Sequence, residues 1–346
     1  MKRNNVQAIT LALELAMKKN PNVVVYGEDA GNVGGVFRAT KGLQAKFGVN
    51  RCFDAPIAEA VIAGSAVGMA INGLNPIIEM QFSGFAFPAF QQLLCHAARM
   101  RNRSRGRFTC PMVVRMPSYD WNNGNNGALE HHSEAIEALF CHIPGLKVVM
   151  TSKPNDTKKL LLAAIESPDP VIVLECLGTY FNSYTSNNYT YDVREEVSDA
   201  YEVAVLGKAK VLKEYKAEEK PDLTIVTYGS KVYDCEAAVK ILEEKENFKI
   251  ELIDLQTLQP WDEETVVNSV KKTGRLLVVS EAVRSFSVAS EIITVVNEKC
   301  FEYLECPPTR LTGYDITVPL SKGEKWFIIS PDKIMEKVKL MMNYPV

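Results

Sequence analysis

The sequence predicts an α/β protein of two domains, each built on a mainly parallel sheet flanked by helices. The chain has 346 residues, enough for about two domains. Short runs rich in Val, Ile and Leu alternate with amphipathic helical segments, which is the pattern of βα units. A polar stretch without periodicity, 182–202, separates two such series. We therefore assign residues 1–181 and 203–346 to two domains joined by this linker.

The spacing of apolar residues predicts the elements of both domains. In the first domain, helices are predicted over 6–19 and from residues 54, 130 and 156, and strands over 22–26, 51–54, 75–80, 111–115, 147–150 and 170–175. In the second domain, strands are predicted over 223–228, 249–255 and 275–280, and helices over 232–244, 288–298 and 331–342.

The composition is that of an ordinary globular protein, with 47% hydrophobic and 23% charged residues. A net charge of −3 gives no support to nucleic-acid binding. The alternating arginines of 99–107 are therefore interpreted as a solvated turn or a salt-bridged subunit contact. No apolar run reaches the ~20 residues of a membrane span, and the eight cysteines contain no Cys-x-x-Cys pair. We expect a cytoplasmic protein with reduced thiols and no membrane partner.

The stretch 54–69 (DAPIAEAVIAGSAVGM) follows a short strand and is rich in small residues. Asp54 is predicted to cap the helix that follows, with Pro56 in its first turn. Gly64 and Gly68 share one face of this helix. Glycine is costly inside a helix, so this face indicates that another backbone packs very close.

Polar residues follow several predicted strands, at the edge where open α/β sheets bind ligands. Glu59 either complements a helix dipole, the common case, or is a functional carboxylate, which the glycines behind it favour. The loop 27–35 (GEDAGNVGG) is a phosphate cradle or a plain turn, since its spacing matches neither nucleotide-binding fingerprint. The phenylalanines of 81–90 are core residues, or Gln81 and Phe85 contact a heteroaromatic ring.

The histidines show no metal-binding spacing. Residues 130–134 (EHHSE) are predicted to open a helix that runs toward Phe140, on which His131 and His132 point in different directions. Neither has a second ligand at the spacing of a zinc site, so zinc is not expected. His96 and His142 are interpreted as structural.

A glutamate, four residues and two glycines four apart resemble the pyrimidine-binding motif of thiamine diphosphate enzymes, although Ser65 stands where that motif usually has an apolar residue. Other segments resemble the β subunits of the heterotetrameric pyruvate dehydrogenase first component, of the mollicute type. These segments are 34–43 (GGVFRATKGL), 97–106 (AARMRNRSRG), 128–133 (ALEHHS), 144–149 (PGLKVV) and 271–279 (KKTGRLLVV).

The resemblance implies a thiamine diphosphate site shared with an α subunit in an α2β2 heterotetramer. In that family the α subunit carries the Gly-Asp-Gly motif that holds magnesium and the diphosphate, and this sequence lacks the motif. Glu59 is implied to bond N1′ of the cofactor's aminopyrimidine, and Gln81 and Phe85 to line its ring pocket. His132 is implied to face the reacting carbon and to act in proton transfer or reductive acylation of the lipoyl group.

Two further expectations concern charge. The N-terminus of the helix predicted after His132 would lower the pKa of its imidazole and keep it neutral near pH 7. The resemblance also implies a potassium site made of backbone carbonyls. Its residues would be Met112, Ala164, Ile165, Ser167 and Asp169.

The implied activity is oxidative decarboxylation of pyruvate with acetyl transfer to lipoamide on a dihydrolipoyl acetyltransferase core, docked through the C-terminal domain. The β subunits of branched-chain 2-oxoacid and acetoin dehydrogenases share the pattern, and so would a non-catalytic docking scaffold. Two departures bear on access by the lipoyl domain. Residues 119–126 replace a glycine-rich loop, and 176–182 replace a basic segment.

Overall fold

The computed structural model describes residues 1–119, 130–319 and 323–345. These residues divide into two compact units. Residues 1–119, 130–184 and 192–206 belong to the first unit, and 185–191, 207–319 and 323–345 belong to the second. The domain boundaries predicted at 181/182 and 202/203 stay predictions. No helix in these ranges is long and apolar enough to cross a membrane.

Strands and helices alternate along most of the chain up to residue 176, and three short strands follow up to residue 196. The strands are β1 (Lys2–Arg3), β2 (Val23–Gly27), β3 (Cys52–Asp54), β4 (Asn75–Glu79), β5 (Val113–Ser118), β6 (Lys147–Thr151), β7 (Val171–Cys176), β8 (Ser183–Ser186), β9 (Tyr189–Asp192) and β10 (Glu195–Glu196). The helices are α1 (Asn5–Lys19), α2 (Leu43–Phe47), α3 (Glu59–Ile71), α4 (Phe87–Gln92), α5 (Met100–Arg103), α6 (Glu137–Cys141) and α7 (Pro154–Glu166).

In the first unit, six strands lie in the order β6-β7-β5-β4-β2-β3, and every pair is parallel. Alternate strand residues such as Val23 and Val25 join the core formed with α1 and α7. Side chains alternate between the faces of a strand, so Tyr26 points the other way. Its hydroxyl donates to the carbonyl of Ile62 at 2.9 Å, which places α3 on that opposite face.

The second unit has a five-stranded sheet in the order β11-β13-β12-β15-β16. The strands of the second unit are β11 (Lys210–Lys213), β12 (Leu223–Thr227), β13 (Ile250–Asp254), β14 (Thr257–Gln259), β15 (Leu276–Val279) and β16 (Thr309–Leu311). Strand β14 lies outside the five-stranded sheet. The helices of this unit are α8 (Lys231–Glu246), α9 (Glu263–Thr273), α10 (Val288–Cys300), α11 (Glu324–Phe327) and α12 (Pro331–Met342). Only β11 is antiparallel to its neighbour in this sheet, and α8 and α12 cover one face.

Two local predictions are wrong. Asp54 does not cap α3, because that helix begins at Glu59 with Ala58 as its N-cap, and Pro56 therefore lies before the helix. No continuous helix runs from residue 130 to 140. A single 3₁₀ turn, Glu130–His132, is separated from α6 by four residues.

The arginines of 99–107 lie at the N-cap of α5, on α5 and in the turn after it, and all five are exposed. Arg101 Nε pairs with Asp169 Oδ1 at 2.7 Å. The structure thus shows a solvated turn with an ion pair inside the chain.

Candidate functional site

The predicted site residues collect at the carboxyl edge of the first sheet. Parallel strands end at the same edge, so the segments after β2, β3, β4 and β5 are brought together there. Glu59, Gln81, Phe85 and His132 all lie in or beside these segments and are half-buried. They form an acidic group and an aromatic group. The two groups adjoin at Gln81 and Phe82, which are consecutive in the sequence.

The acidic group consists of Glu28, Glu59 and Gln81. Glu59 is the first residue of α3, and its carboxylate forms no hydrogen bond or ion pair with any described residue. Glu28 follows β2, and the Gln81 side chain lies near its carboxyl. Burial, Asp29 and Glu59 raise the pKa of Glu28, and Gln81 lowers it slightly. The group therefore contains two carboxyl groups of different kinds. The half-buried carboxylate of Glu59 has no hydrogen-bond or ion-pair partner among the described residues, and Glu28 has a raised pKa.

Glu28 is the site residue that the sequence analysis missed. A glutamate after a strand has no spacing that distinguishes it from a solvated residue. The one available signal was its place in a glycine-rich loop at the carboxyl end of β2, the strand paired with β4.

The loop 27–35 is held by the side chain of Asp54, which the sequence predicted to cap α3. The carboxylate of Asp54 accepts from the backbone N–H of Gly31 at 2.6 Å and of Asn32 at 3.3 Å. Thr40 Oγ1 donates to the carbonyl of Ala30 at 2.7 Å. Asp54 at the end of β3 therefore ties this loop to the strand instead of capping α3.

The aromatic group surrounds His132. The ring centroid of His132 lies 4.4 Å from that of Phe82 and 5.3 Å from that of Phe85, both in edge contacts. Phe85 also stacks on His131 at 5.7 Å. Nδ1 of His132 is buried and has no hydrogen-bond partner among the described residues. Packing against rings thus sets the orientation of the imidazole, and no described residue bonds Nδ1 to fix its tautomer.

The pKa of His132 is lowered, as predicted, but for a different reason. Burial is the largest cause and the neighbouring His131 adds to it, while Glu130 opposes the shift. The predicted cause, a helix starting at Ser133, is wrong because α6 begins only at Glu137. A largely neutral imidazole at pH 7 follows from the lowered pKa.

The glycine face of α3 is open in this chain. A Cβ atom at Gly68 would have no atom within 4 Å, and one at Gly64 would meet only the Gln92 side chain at 3.4 Å. The predicted close packing of a second backbone is therefore not provided by the described residues. Ser65, which departs from the family motif, forms a 2.8 Å hydrogen bond with the hydroxyl of Tyr26.

Four of the five carbonyls expected to bind potassium already accept a hydrogen bond within the chain. Met112 accepts from Val171 N, Ala164 from Ser167 N, Ile165 from Asn75 Nδ2, and Asp169 from Ser167 Oγ. A carbonyl oxygen has two lone pairs, so each can take a second partner. No group of three or more His, Cys, Asp or Glu among the described residues is placed to hold a metal.

Family models match both parts of the chain. Residues 2–180 match "Transketolase, pyrimidine binding domain" and residues 207–334 match "Transketolase, C-terminal domain". A solved split-gene transketolase, described as an inactive beta4 tetramer, has the same fold, with a TM-score of 0.76, 21% identity and 98% coverage of each chain. The predicted fold class is confirmed, and it is that of the thiamine-dependent transketolase type.

Relatives of higher sequence identity show which family within this fold class the chain belongs to. The chain is 53% identical to a pyruvate dehydrogenase E1 component subunit beta of Acholeplasma laidlawii, over 96% of both chains. It is 51% identical to the protein of that name from Mycoplasma genitalium, over 98% of both. A 2-oxoisovalerate dehydrogenase subunit beta of Pseudomonas aeruginosa is 40% identical, over 98% of this chain and 94% of its own. The chain belongs to the family of 2-oxoacid dehydrogenase E1 beta subunits, and the more similar of these relatives are named for pyruvate.

Proposed function

We propose that the chain is the β subunit of a pyruvate dehydrogenase first component, which with an α subunit decarboxylates pyruvate oxidatively and transfers the acetyl group to lipoamide. One observation carries the proposal for the site: the unengaged, half-buried carboxylate of Glu59 beside Glu28 and Gln81. The relatives named for pyruvate at 50–53% identity support the substrate, against 40–42% for those named for 2-oxoisovalerate.

These residues fit the aminopyrimidine end of thiamine diphosphate. When bound, the cofactor supplies a thiazolium carbon that becomes a nucleophile toward 2-oxo acids. Glu59 accepts or shares a proton at the ring nitrogen N1′, for which a carboxylate in a partly dry site is suited. The raised pKa of Glu28 reduces the repulsion that a second negative charge beside Glu59 would cause. Gln81 and Phe85 line the ring with an amide and an aromatic face.

His132 acts in the second half of the reaction. Its lowered pKa keeps the imidazole neutral near pH 7, so one ring nitrogen can accept a proton while the other donates. A proton must move as the sulfur of the lipoyl group takes the acetyl group. His132, packed against Phe82 and Phe85, moves that proton.

The remaining components come from partners. An α subunit supplies the Gly-Asp-Gly motif for magnesium and diphosphate in an α2β2 assembly, and the open Gly64–Gly68 face of α3 supports a close contact with it. The second unit docks on the dihydrolipoyl acetyltransferase core, whose lipoyl domain visits the site. Potassium would be held by the backbone carbonyls of Met112, Ala164, Ile165, Ser167 and Asp169.

The activity of the purified αβ pair tests the proposal. Pyruvate should be turned over faster than 3-methyl-2-oxobutanoate, and the isolated chain should show no decarboxylation and weak thiamine diphosphate binding. Preference for the branched-chain acid would assign the chain to that dehydrogenase. An αβ pair inactive on both acids would favour a docking scaffold, and micromolar cofactor binding by the chain alone would contradict a shared site.

A further inference from the structure

Two buried serines hold one carbonyl oxygen beside the proposed catalytic histidine. Ser83 Oγ donates to the carbonyl of Glu134 at 2.8 Å, and Ser118 Oγ donates to the same oxygen at 3.2 Å. Both serines are fully buried. A carbonyl oxygen has two lone pairs, so this serine pair fills both. The pair connects the 3₁₀ turn Ser83–Ala86, which follows β4, and the end of β5 to the segment 130–134.

A close backbone approach joins the same turn to the same segment. A Cβ atom at Gly84 would lie 2.0 Å from the carbonyl oxygen of His131 and would clash with it, so only glycine fits at this position. Gly84 lies between Phe82 and Phe85 in sequence, and both of these rings contact His132. The position of the turn therefore determines where the imidazole lies.

Among the described residues, none fixes the imidazole of His132 through Nδ1. A catalytic imidazole is usually fixed by a hydrogen bond from its second nitrogen, whereas Nδ1 of His132 is buried without a partner among the described residues. We propose that Ser83, Ser118 and Gly84 are positioning residues that orient His132 through its backbone and the two phenylalanines. This inference rests on the proposed function of His132 in acetyl transfer.

The serine variants test the inference in the αβ complex. Ser83→Ala, Ser118→Ala and the double variant are compared in two rates: decarboxylation with an artificial electron acceptor, and acetyl transfer to a lipoyl domain. Each single variant should lower transfer about 3- to 10-fold, the effect of one hydrogen bond, and leave decarboxylation within about twofold. Both serines serve one oxygen, so the double variant should lose more than the product of the single losses.

A control separates positioning from general loss of stability. Thr227 in the second unit is buried and donates to the carbonyl of Val279 at 3.0 Å, so Thr227→Val removes a comparable bond elsewhere. It should lower the melting temperature about as much as Ser83→Ala without changing the ratio of the two rates. An equal fall of both rates in the serine variants, no fall, or the same ratio change in Thr227→Val would overturn the inference.

Gly84→Ala provides a second test through a different contact. Where the complex assembles, transfer should fall more strongly than in either serine variant, because the backbones must separate. Phe85 also lines the proposed ring pocket, so decarboxylation should fall as well but clearly less than transfer, and an equal fall of both rates would count against positioning of His132. His132→Ala separates a failure of this inference from a failure of the proposed function. If it lowers transfer selectively while the serine variants do not, only this inference fails, whereas an inert His132→Ala contradicts the proposed function.

Discussion

Arg115 and Glu175 form a two-pronged ion pair that is removed from solvent, with Nε–Oε1 at 2.7 Å and Nη2–Oε2 at 2.8 Å. Nη1 of Arg115 reaches Glu79 on the other neighbouring strand at 2.8 Å. Tyr180 donates to Glu175, and burial raises the pKa of Glu79. One guanidinium from the middle of β5 thus bridges the carboxyl ends of the two neighbouring strands, β4 and β7.

Arg115→Met should destabilise the protein severely, by ~3–5 kcal/mol, because it leaves two buried carboxylates without their cation. The shift of the denaturant midpoint of the αβ complex measures the loss. Arg101→Met is the matched control, since its pair with Asp169 is half exposed and solvent screening leaves such pairs only a small contribution to stability. Equal, small shifts for both variants would contradict a stabilising role of the buried network.

Glu59→Gln should leave assembly intact and slow proton exchange at the thiazolium carbon by ~10²-fold or more, the scale of positioned acid–base catalysis. Hydrogen–deuterium exchange of the bound cofactor measures this step directly. Glu218→Gln, an exposed acid of the second unit, serves as the control with wild-type exchange. Unchanged exchange in Glu59→Gln would remove the carboxylate from cofactor activation.

His132→Ala should leave decarboxylation with an artificial acceptor nearly unchanged and strongly lower acetyl transfer to a lipoyl domain. The reason is that the imidazole serves the sulfur chemistry and not the first step. His142→Ala, at an exposed position, should affect neither rate. A joint fall of both rates with a lower melting temperature would make His132 structural, and no fall would direct the test to His131.

Acetyl transfer should lose rate only at pH values below the ordinary histidine pKa of about 6.5. Burial and His131 lower the pKa of His132, so the neutral form persists to more acidic pH. Between the folded and unfolded pKa values the unfolded chain binds more protons at this residue, so stability also falls as pH falls there. A pH profile of transfer measures the effect, and an acid limb centred above 6.5 would contradict it.

Local pattern predicted much of the fold. Residues 331–342 were predicted as a helix, and α12 runs from Pro331 to Met342. The buried strands β2, β4, β6 and β7 lie within about two residues of their predicted bounds. Helix α9 was missed, although Asp262 caps it and Gly274 ends it. Apolar periodicity is a property of neighbouring residues, so sequence alone is enough to find such elements.

By itself the sequence determined the order of most buried strands and long helices, the family, and the residues Glu59, Gln81, Phe85 and His132 as candidates. Tertiary structure decided what those residues contact. Asp54 holds a loop 22 residues away, and Ser83 bonds a carbonyl 51 residues away. Such contacts depend on which parallel strands are neighbours and in what register, and short-range spacing contains no information about either.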